Sequence, residues 1–378
     1  MPSVKTILIA TVLALLVAVP AADAAKRKVP ATFSGVNYDG GVETDPAAVQ
    51  DAQMALMARS GVESLRTVFS WRDIQPAKNG PFDFTATDAI VATAARHGVS
   101  ALPVMLYAPT WARAFPRDGG SPPLTAPYQG FLRASIRRYG TGGSFWRENP
   151  AVPRRTVRYW QVWNEPHFEG FWDAPKGSRY SFPRGYARLL SASNRTIHRT
   201  DRRARTVTAG LFGASWELLA RLYRSGGVRK GFDVAAVHVY SDKPGNVLET
   251  VRRTNATMRR YKDAGNRVWV TETAFPASKG QARPIRGQKQ DTPRTMARKL
   301  YDTYLLLARN RRKQRIDRVY WYTWSSSYQQ TQPSNFDYAG LQKRTNAFTY
   351  RPQPALDSFR RVSQRLQGCA KTDTGACR

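Results

Sequence analysis

An α/β fold in which parallel strands close into a single (β/α)8 TIM barrel is the architecture this sequence predicts, for three reasons. Eight apolar strand-like runs alternate with helical stretches from Ala31 onward, as in such a barrel. The runs are apolar along their length, as strands buried on both faces must be. The segment after the first run, Gly35-Val36-Asn37-Tyr38-Asp39-Gly40-Gly41, lacks the glycine spacing of the phosphate loop that an open doubly wound sheet carries at that point.

The strands are expected, in order, at Phe33–Tyr38, Val62–Phe69, Val99–Tyr107, Val157–Asn164, Arg205–Phe212, Phe232–Tyr240, Arg267–Thr273 and Ile316–Ser325. The first helix opens at Asp45-Pro46, an N-cap followed by proline in the first turn, and stops at Gly61. Another closes at His97-Gly98, and a third runs from near Pro183 to Asp201. Val247–Ala264, Thr292–Arg312 and Ala355–Leu366 complete the set. Stretches rich in Gly, Pro and polar residues at Ala114–Pro127, Phe168–Pro183 and Ala277–Asp291 follow strands, which assigns them to the C-terminal face of the barrel. Thr141–Arg155 precedes a strand and belongs to the opposite face.

The first 24 residues form a targeting segment. Lys5 supplies a positive start, Ile7 to Pro20 is almost wholly apolar, and Ala22-Asp23-Ala24 is a small-residue cleavage site. The apolar run is short for a bilayer span, so cleavage and a secreted or envelope-associated destination are expected. Residues 31–367 are then the barrel domain and 368–378 a tail. The two cysteines, Cys369 and Cys377, both fall in that tail, where a disulfide would close a short loop worth about 2–3 kcal/mol of chain entropy.

The 378 residues carry a formal charge of +32. Such a field attracts acidic polymers, including anionic glycans, but an Arg-rich composition with a solvated basic surface explains it equally well. The basic residues are scattered and no nucleic-acid-binding motif accompanies them, so nucleic acid is not the expected partner. The four histidines show no paired metal-ligand spacing and no Gly-x-Ser-x-Gly elbow occurs; no metal or cofactor is expected.

Two glutamates end apolar runs that lie far apart in the chain. Glu165 closes Gln161-Val162-Trp163-Asn164-Glu165 and Glu272 closes Val268-Trp269-Val270-Thr271-Glu272. Simple alternation puts Glu165 on a face with Trp163 and Gln161, and Glu272 on a face with Val270 and Val268. If those faces point inward, both carboxyl groups meet at the barrel mouth, the arrangement glycoside hydrolysis needs. His238 and Tyr240 share a face of the sixth run; Arg66 stands near the end of the second and Trp324 near the end of the eighth.

With these motifs in this order, the chain resembles the clan A glycoside hydrolases, most nearly families 5 and 39. The resemblance rests on Asn164-Glu165-Pro166, Thr271-Glu272, His238-x-Tyr240, Arg66 and Trp324, and spans nearly the whole mature chain. The third strand departs from it, ending in Leu106-Tyr107-Ala108-Pro109 where family 5 members usually carry a histidine. The resemblance implies that Glu165 is the acid/base and Glu272 the nucleophile, held by Tyr240 and Arg66. It further implies that Asn164 bonds the sugar 2-hydroxyl, His238 orients the acid/base residue and Trp324 floors the subsite of the cleaved sugar. Tyr107 would take the sugar-contact role of the missing histidine. Among aromatics after strands, Trp111 and Trp172 are the candidate sugar platforms, and His167 would contact the leaving-group side. Two other functions are compatible with the same residues: transglycosylation, and a non-catalytic glycan-binding surface protein on the same barrel.

Overall fold

A computed structural model describes residues 26–283, 290–327 and 334–369. The expected signal segment at 1–24 and Cys377 lie outside the described residues, as does part of the 277–291 loop. The barrel wall is built from β1 (Ser34–Asn37), β2 (Ser64–Ser70), β3 (Ser100–Leu106), β4 (Tyr159–Val162), β5 (Arg205–Val207), β6 (Leu211–Phe212), β7 (Val234–Tyr240), β8 (Arg267–Ala274) and β9 (Ile316–Trp321). All pair in parallel, in the order β5-β4-β3-β2-β1-β9-β8-β7-β6. A further pairing of β5 with β7 closes the ring, so β5 and β6 are two pieces of one wall and the barrel is eight-stranded.

The helices that pack outside these strands span Ala47–Arg59, Thr85–Arg96, Thr125–Tyr139, Arg184–Thr200, Ser215–Arg224, Pro244–Arg260, Pro293–Gln314 and Pro354–Gln367. The helix starts follow local chemistry. Proline stands in the first turn of the last three, where its missing N–H costs nothing, and the Thr292 hydroxyl accepts from the Thr295 amide. Some elements have no counterpart in the sequence expectation, among them the helix Thr125–Tyr139. Three short strands, β10 (Ser325–Ser326), β11 (Gln342–Arg344) and β12 (Tyr350–Pro352), form a small sheet beside the C-terminal end of β9.

Two packed regions result. The larger surrounds the barrel and fills the strand–helix layer. The smaller lies inside the ring and joins Leu102, Val207, Val234, Ala236, Trp269 and Tyr320, with Tyr159 against them. A cation completes this inner plug. Arg318 is nearly fully buried, its guanidinium 4.5 Å from the Tyr159 ring centre and 4.3 Å from that of Trp269, with Ser64 and the Tyr320 hydroxyl accepting from it. β1 passes close to this layer at Gly35, where a Cβ would stand 2.5 Å from the Tyr320 ring.

The inner plug also shows which way each strand faces, and it corrects the alternation argument twice. Trp269 points inward while Val268 and Val270 pack outward. Unbroken alternation would therefore send Glu272 out of the barrel. The register shifts instead: Val237 pairs with Val270 but His238 pairs with Glu272, so Thr271 is the extra residue of a bulge and Glu272 turns inward. On β4, Gln161 faces inward, but Trp163 takes φ 68° and packs outward against Tyr128 and Trp172. Asn164 then returns to the interior, and Glu165 follows at φ 36°. Positive φ at non-glycine residues is costly, and such positions concentrate at functional sites.

Candidate active site

The strand ends converge on Arg66. Its Nε donates to Gln161 at 2.7 Å, one terminal nitrogen to both Asn37 and Glu272 at 2.7 Å, and the other to the Asn164 carbonyl oxygen at 2.7 Å. Five residues from β1, β2, β4 with its loop, and β8 are thereby locked in one planar array, with charge-assisted bonds at nearly full burial. Asn37 is fixed in turn, donating to the Thr271 and Trp321 carbonyls. Since the Asn164 oxygen is used by Arg66, its amide N–H groups are the ones left for the cleft.

Glu272 accepts from both sides, from Arg66 on Oε1 and from the Tyr240 hydroxyl on Oε2 at 2.5 Å. Burial and the Glu272 charge hold the Tyr240 phenol far above its usual range, which keeps it a donor. Glu165 bonds His238 Nδ1 at 2.6 Å, and the same nitrogen lies 3.4 Å from Glu272. Carboxylate oxygens of Glu165 and Glu272 and a His238 nitrogen all lie within 4.8 Å of one another. Burial raises the Glu165 pKa, and the positive charge of Arg66 opposes that rise. The two glutamates thus sit in unlike surroundings, one anchored by a cation and a phenol, the other desolvated beside an imidazole.

Burial pushes His238 down to about 3, so the ring is neutral near pH 7. Its Nε2 is buried without a hydrogen-bond partner. A neutral imidazole in that setting keeps its proton on Nδ1 and leaves only a lone pair unmatched, so Nδ1 donates to Glu165 Oε1. Oε2 of Glu165 then remains to carry a transferable proton.

Glu165, His238 and Glu272 offer three ligand-type atoms at a spacing a metal ion would accept. Their partners disfavour one: Arg66 and Tyr240 already use both oxygens of Glu272, and the guanidinium supplies the local positive charge.

A cleft of about 750 Å³ opens over this array. Arg66, Asn164, Glu165, Tyr240, Glu272 and Tyr107 line it. Tyr107, at φ 58°, is sandwiched between the Arg72 guanidinium, 4.7 Å from its ring centre, and the Phe171 ring. The aromatic platforms are not where the sequence suggested. Trp324 is fully buried and donates to Gln53 at 2.9 Å; the chain has left β9 by then, and the indole turns under the first helix. Tyr322, two residues earlier, lines the cleft in its place, its hydroxyl 3.3 Å from Asp39. Trp111 packs edge-on to Trp71 and donates to the Gln75 carbonyl, and Trp172 is buried edge-on to Trp163 and donates to the Tyr180 carbonyl. Both close loops over the barrel and neither lines the cleft. His167 stands beside Glu165 but outside the cleft lining, half-buried against Phe168 and Phe182, and burial pushes it down to about 4. Asn37, Gln161 and Tyr322 were not singled out from sequence; a lone Asn or Gln inside a buried strand was the available signal for the first two.

A parallel eight-stranded barrel places its active site at the C-terminal mouth, and two facing carboxyl groups there can serve glycoside hydrolysis. Comparison with known proteins gives the same fold. Residues 42–116, a minor part of the chain, match the model of the glycoside hydrolase family 42 β-galactosidases. Among solved structures, a family 39 glycoside hydrolase from the gut symbiont Bacteroides cellulosilyticus WH2 superposes with a TM-score of 0.67 at 18% identity, over 90% of this chain and 64% of that one. A GH5_18 protein from Streptomyces cattleya, in complex with GlcNAc, gives 0.64 at 16% identity over 93% and 83% of the two chains. A monomeric β-xylosidase from Caulobacter crescentus CB15 gives 0.60 at 18% identity over 89% and 69%. This chain therefore spans less than two thirds of the length of the family 39 structure. No curated protein sequence gives a significant match.

Proposed function

We propose that this protein is an exported, retaining glycoside hydrolase in which Glu165 is the acid/base and Glu272 the nucleophile. The observation that carries the reading is the approach of the two carboxyl groups to within 4.8 Å at the barrel mouth. That closeness leaves no room for a water between them and matches the short separation of retaining enzymes, about 5–5.5 Å. The unlike surroundings supply the division of labour. Glu272, held by Arg66 and Tyr240, attacks the anomeric carbon as a carboxylate, while Glu165 protonates the departing oxygen and then takes a proton from the incoming water. Asn164 is placed to donate to the 2-hydroxyl, and Tyr322 to lie under the sugar ring. Export is inferred from the first 24 residues, whose pattern is that of a cleavable signal.

The charge of the cleft favours an uncharged sugar over a uronic acid. Its lining carries Asp39, Glu43, Asp73 and Asp83 besides the catalytic pair, against Arg66 and Arg72. The large positive charge of the chain lies elsewhere on the surface. Transglycosylation uses the same residues and differs only in what attacks the intermediate.

The decisive experiment is Glu272→Ala with and without azide on an aryl glycoside. The variant should lose turnover by roughly a thousandfold or more and regain part of it with azide, releasing a glycosyl azide of inverted configuration. Wild-type-like turnover in Glu272→Ala would remove that residue from the mechanism and the proposal with it.

A further inference from the structure

On the outer flank of the barrel, away from the cleft, a groove of about 500 Å³ lies between the helix Arg184–Thr200, the end of the loop after β4 and the Gly226-Gly227 turn. Its charged lining residues are all arginines: Arg179, Arg188 and Arg195. Arg188 and Arg195 are seven residues apart on the helix, so they share a face about 10 Å apart along its axis. None of the three has an ion pair among the described residues, although each is exposed. Arg179 and Arg188 both converge on the Tyr180 ring, at 5.0 and 5.9 Å from its centre, and Arg188 also donates to the Arg179 carbonyl. Ser191 bonds the Gly227 carbonyl and ties the glycine turn to the helix, giving the groove a fixed second wall.

Two guanidinium groups drawn to one ring, with a third on the same helix face and no carboxylate in the lining, leave a concentration of positive charge uncompensated. Guanidinium forks are shaped for oxyanions, and a row of them fits a chain bearing oxyanions at intervals. Single-stranded nucleic acid is a poorer fit, because binding it relies on open aromatic faces and the one ring here is covered by arginine. A concave groove is equally ill-suited to a flat membrane surface. We propose that this groove is a binding site for an anionic polysaccharide, separate from the cleft, and that it holds the protein on an acidic matrix while the cleft works on another glycan. The acidic lining of the cleft and the arginine lining of the groove divide the two tasks by charge.

The test is titration calorimetry of the whole protein with polygalacturonate at about 0.15 M salt, where charges more than about 8 Å apart are screened, with an oligothymidylate as the competing ligand. The triple variant R179Q/R188Q/R195Q should bind polygalacturonate about tenfold more weakly, losing its charge-assisted hydrogen bonds. A control of equal charge loss on the helix Pro293–Gln314, R309Q/R312Q/K313Q, should stay within about twofold of the parent, as screened distant charges contribute little. R195Q alone, which removes none of the described hydrogen bonds, should weaken binding about threefold and guards against a folding defect in the triple variant. Equal losses in the groove and control variants, or tighter binding of oligothymidylate than of polygalacturonate, would overturn the proposal. Binding is the readout throughout, so the result is independent of whether the cleft hydrolyses glycosides.

Discussion

The His238 ring lies directly on Gly210: a Cβ added to that glycine would stand 1.8 Å from His238 Nε2 and 2.2 Å from Cε1. The ring is fully buried and cannot yield sideways, and its other nitrogen holds Glu165. Gly210→Ala should therefore act as a mutation of the acid/base residue from a distance. We expect kcat to fall by roughly tenfold or more, with a larger loss for poor leaving groups than for activated ones. An equal loss across leaving groups would mean that the glycine serves packing alone.

In the proposed mechanism Glu165 must be protonated in the first step, and burial raises its pKa above the ordinary value. Activity should accordingly decline on the alkaline side as that proton is lost. In Glu165→Gln, assayed with an activated aryl glycoside, the alkaline limb should disappear and glycosyl-enzyme should accumulate, seen by mass spectrometry of the quenched protein. An unchanged alkaline limb would assign it to another group.

Tyr322 and Trp324 separate a cleft-lining ring from a packing ring. Tyr322→Ala should raise KM or lower kcat by about tenfold with little change in Tm, as it truncates a ring at the cleft surface. Trp324→Phe removes the bond to Gln53 from a fully buried site and should cost about 1 kcal/mol or more of stability while leaving KM unchanged. The reverse pattern would restore the tryptophan to the cleft.

Glu43 lines the same cleft and is pushed up to about 7 by burial, with the Asp39 charge adding to the shift. Its folded-state pKa exceeds its unfolded one, so the contribution it makes when protonated is fully present below about pH 4.5 and is lost as pH rises through about 7. Glu43→Gln should consequently match the parent near pH 4 and exceed it by about 2 kcal/mol above pH 8. Denaturant melts at the two pH values measure the difference, and equal stability at both would show that Glu43 ionises freely.

Much of the barrel was legible because most strands are buried apolar runs and several helices carry their own stop or start: Gly61, His97-Gly98, Pro293. The paired glutamates were legible as polar interruptions at the ends of such runs. What could not be read is how each enters the site. Glu272 faces inward only through the bulge at Thr271, and Asn164 only because Trp163 takes a left-handed turn. Both depend on neighbouring strands rather than on local preference, and a period-two pattern has no term for them. The same limit explains the aromatic errors. Trp324, Trp111 and Trp172 find packing partners in Gln53, Trp71 and Trp163, contacts between segments distant or looped in sequence, whereas the less conspicuous Tyr322 is left facing the cleft. The small sheet β10–β12 was missed because its strands are two or three residues long, too short to show any period.

The Arg318 guanidinium, laid against the touching rings of Tyr159 and Trp269, stops the barrel from below. Traffic through the ring is thereby forbidden, and everything the reaction consumes or releases must use one doorway. In the proposed double displacement the water of the second step enters by the doorway that the first fragment leaves through, so a slow-leaving fragment would throttle the whole cycle.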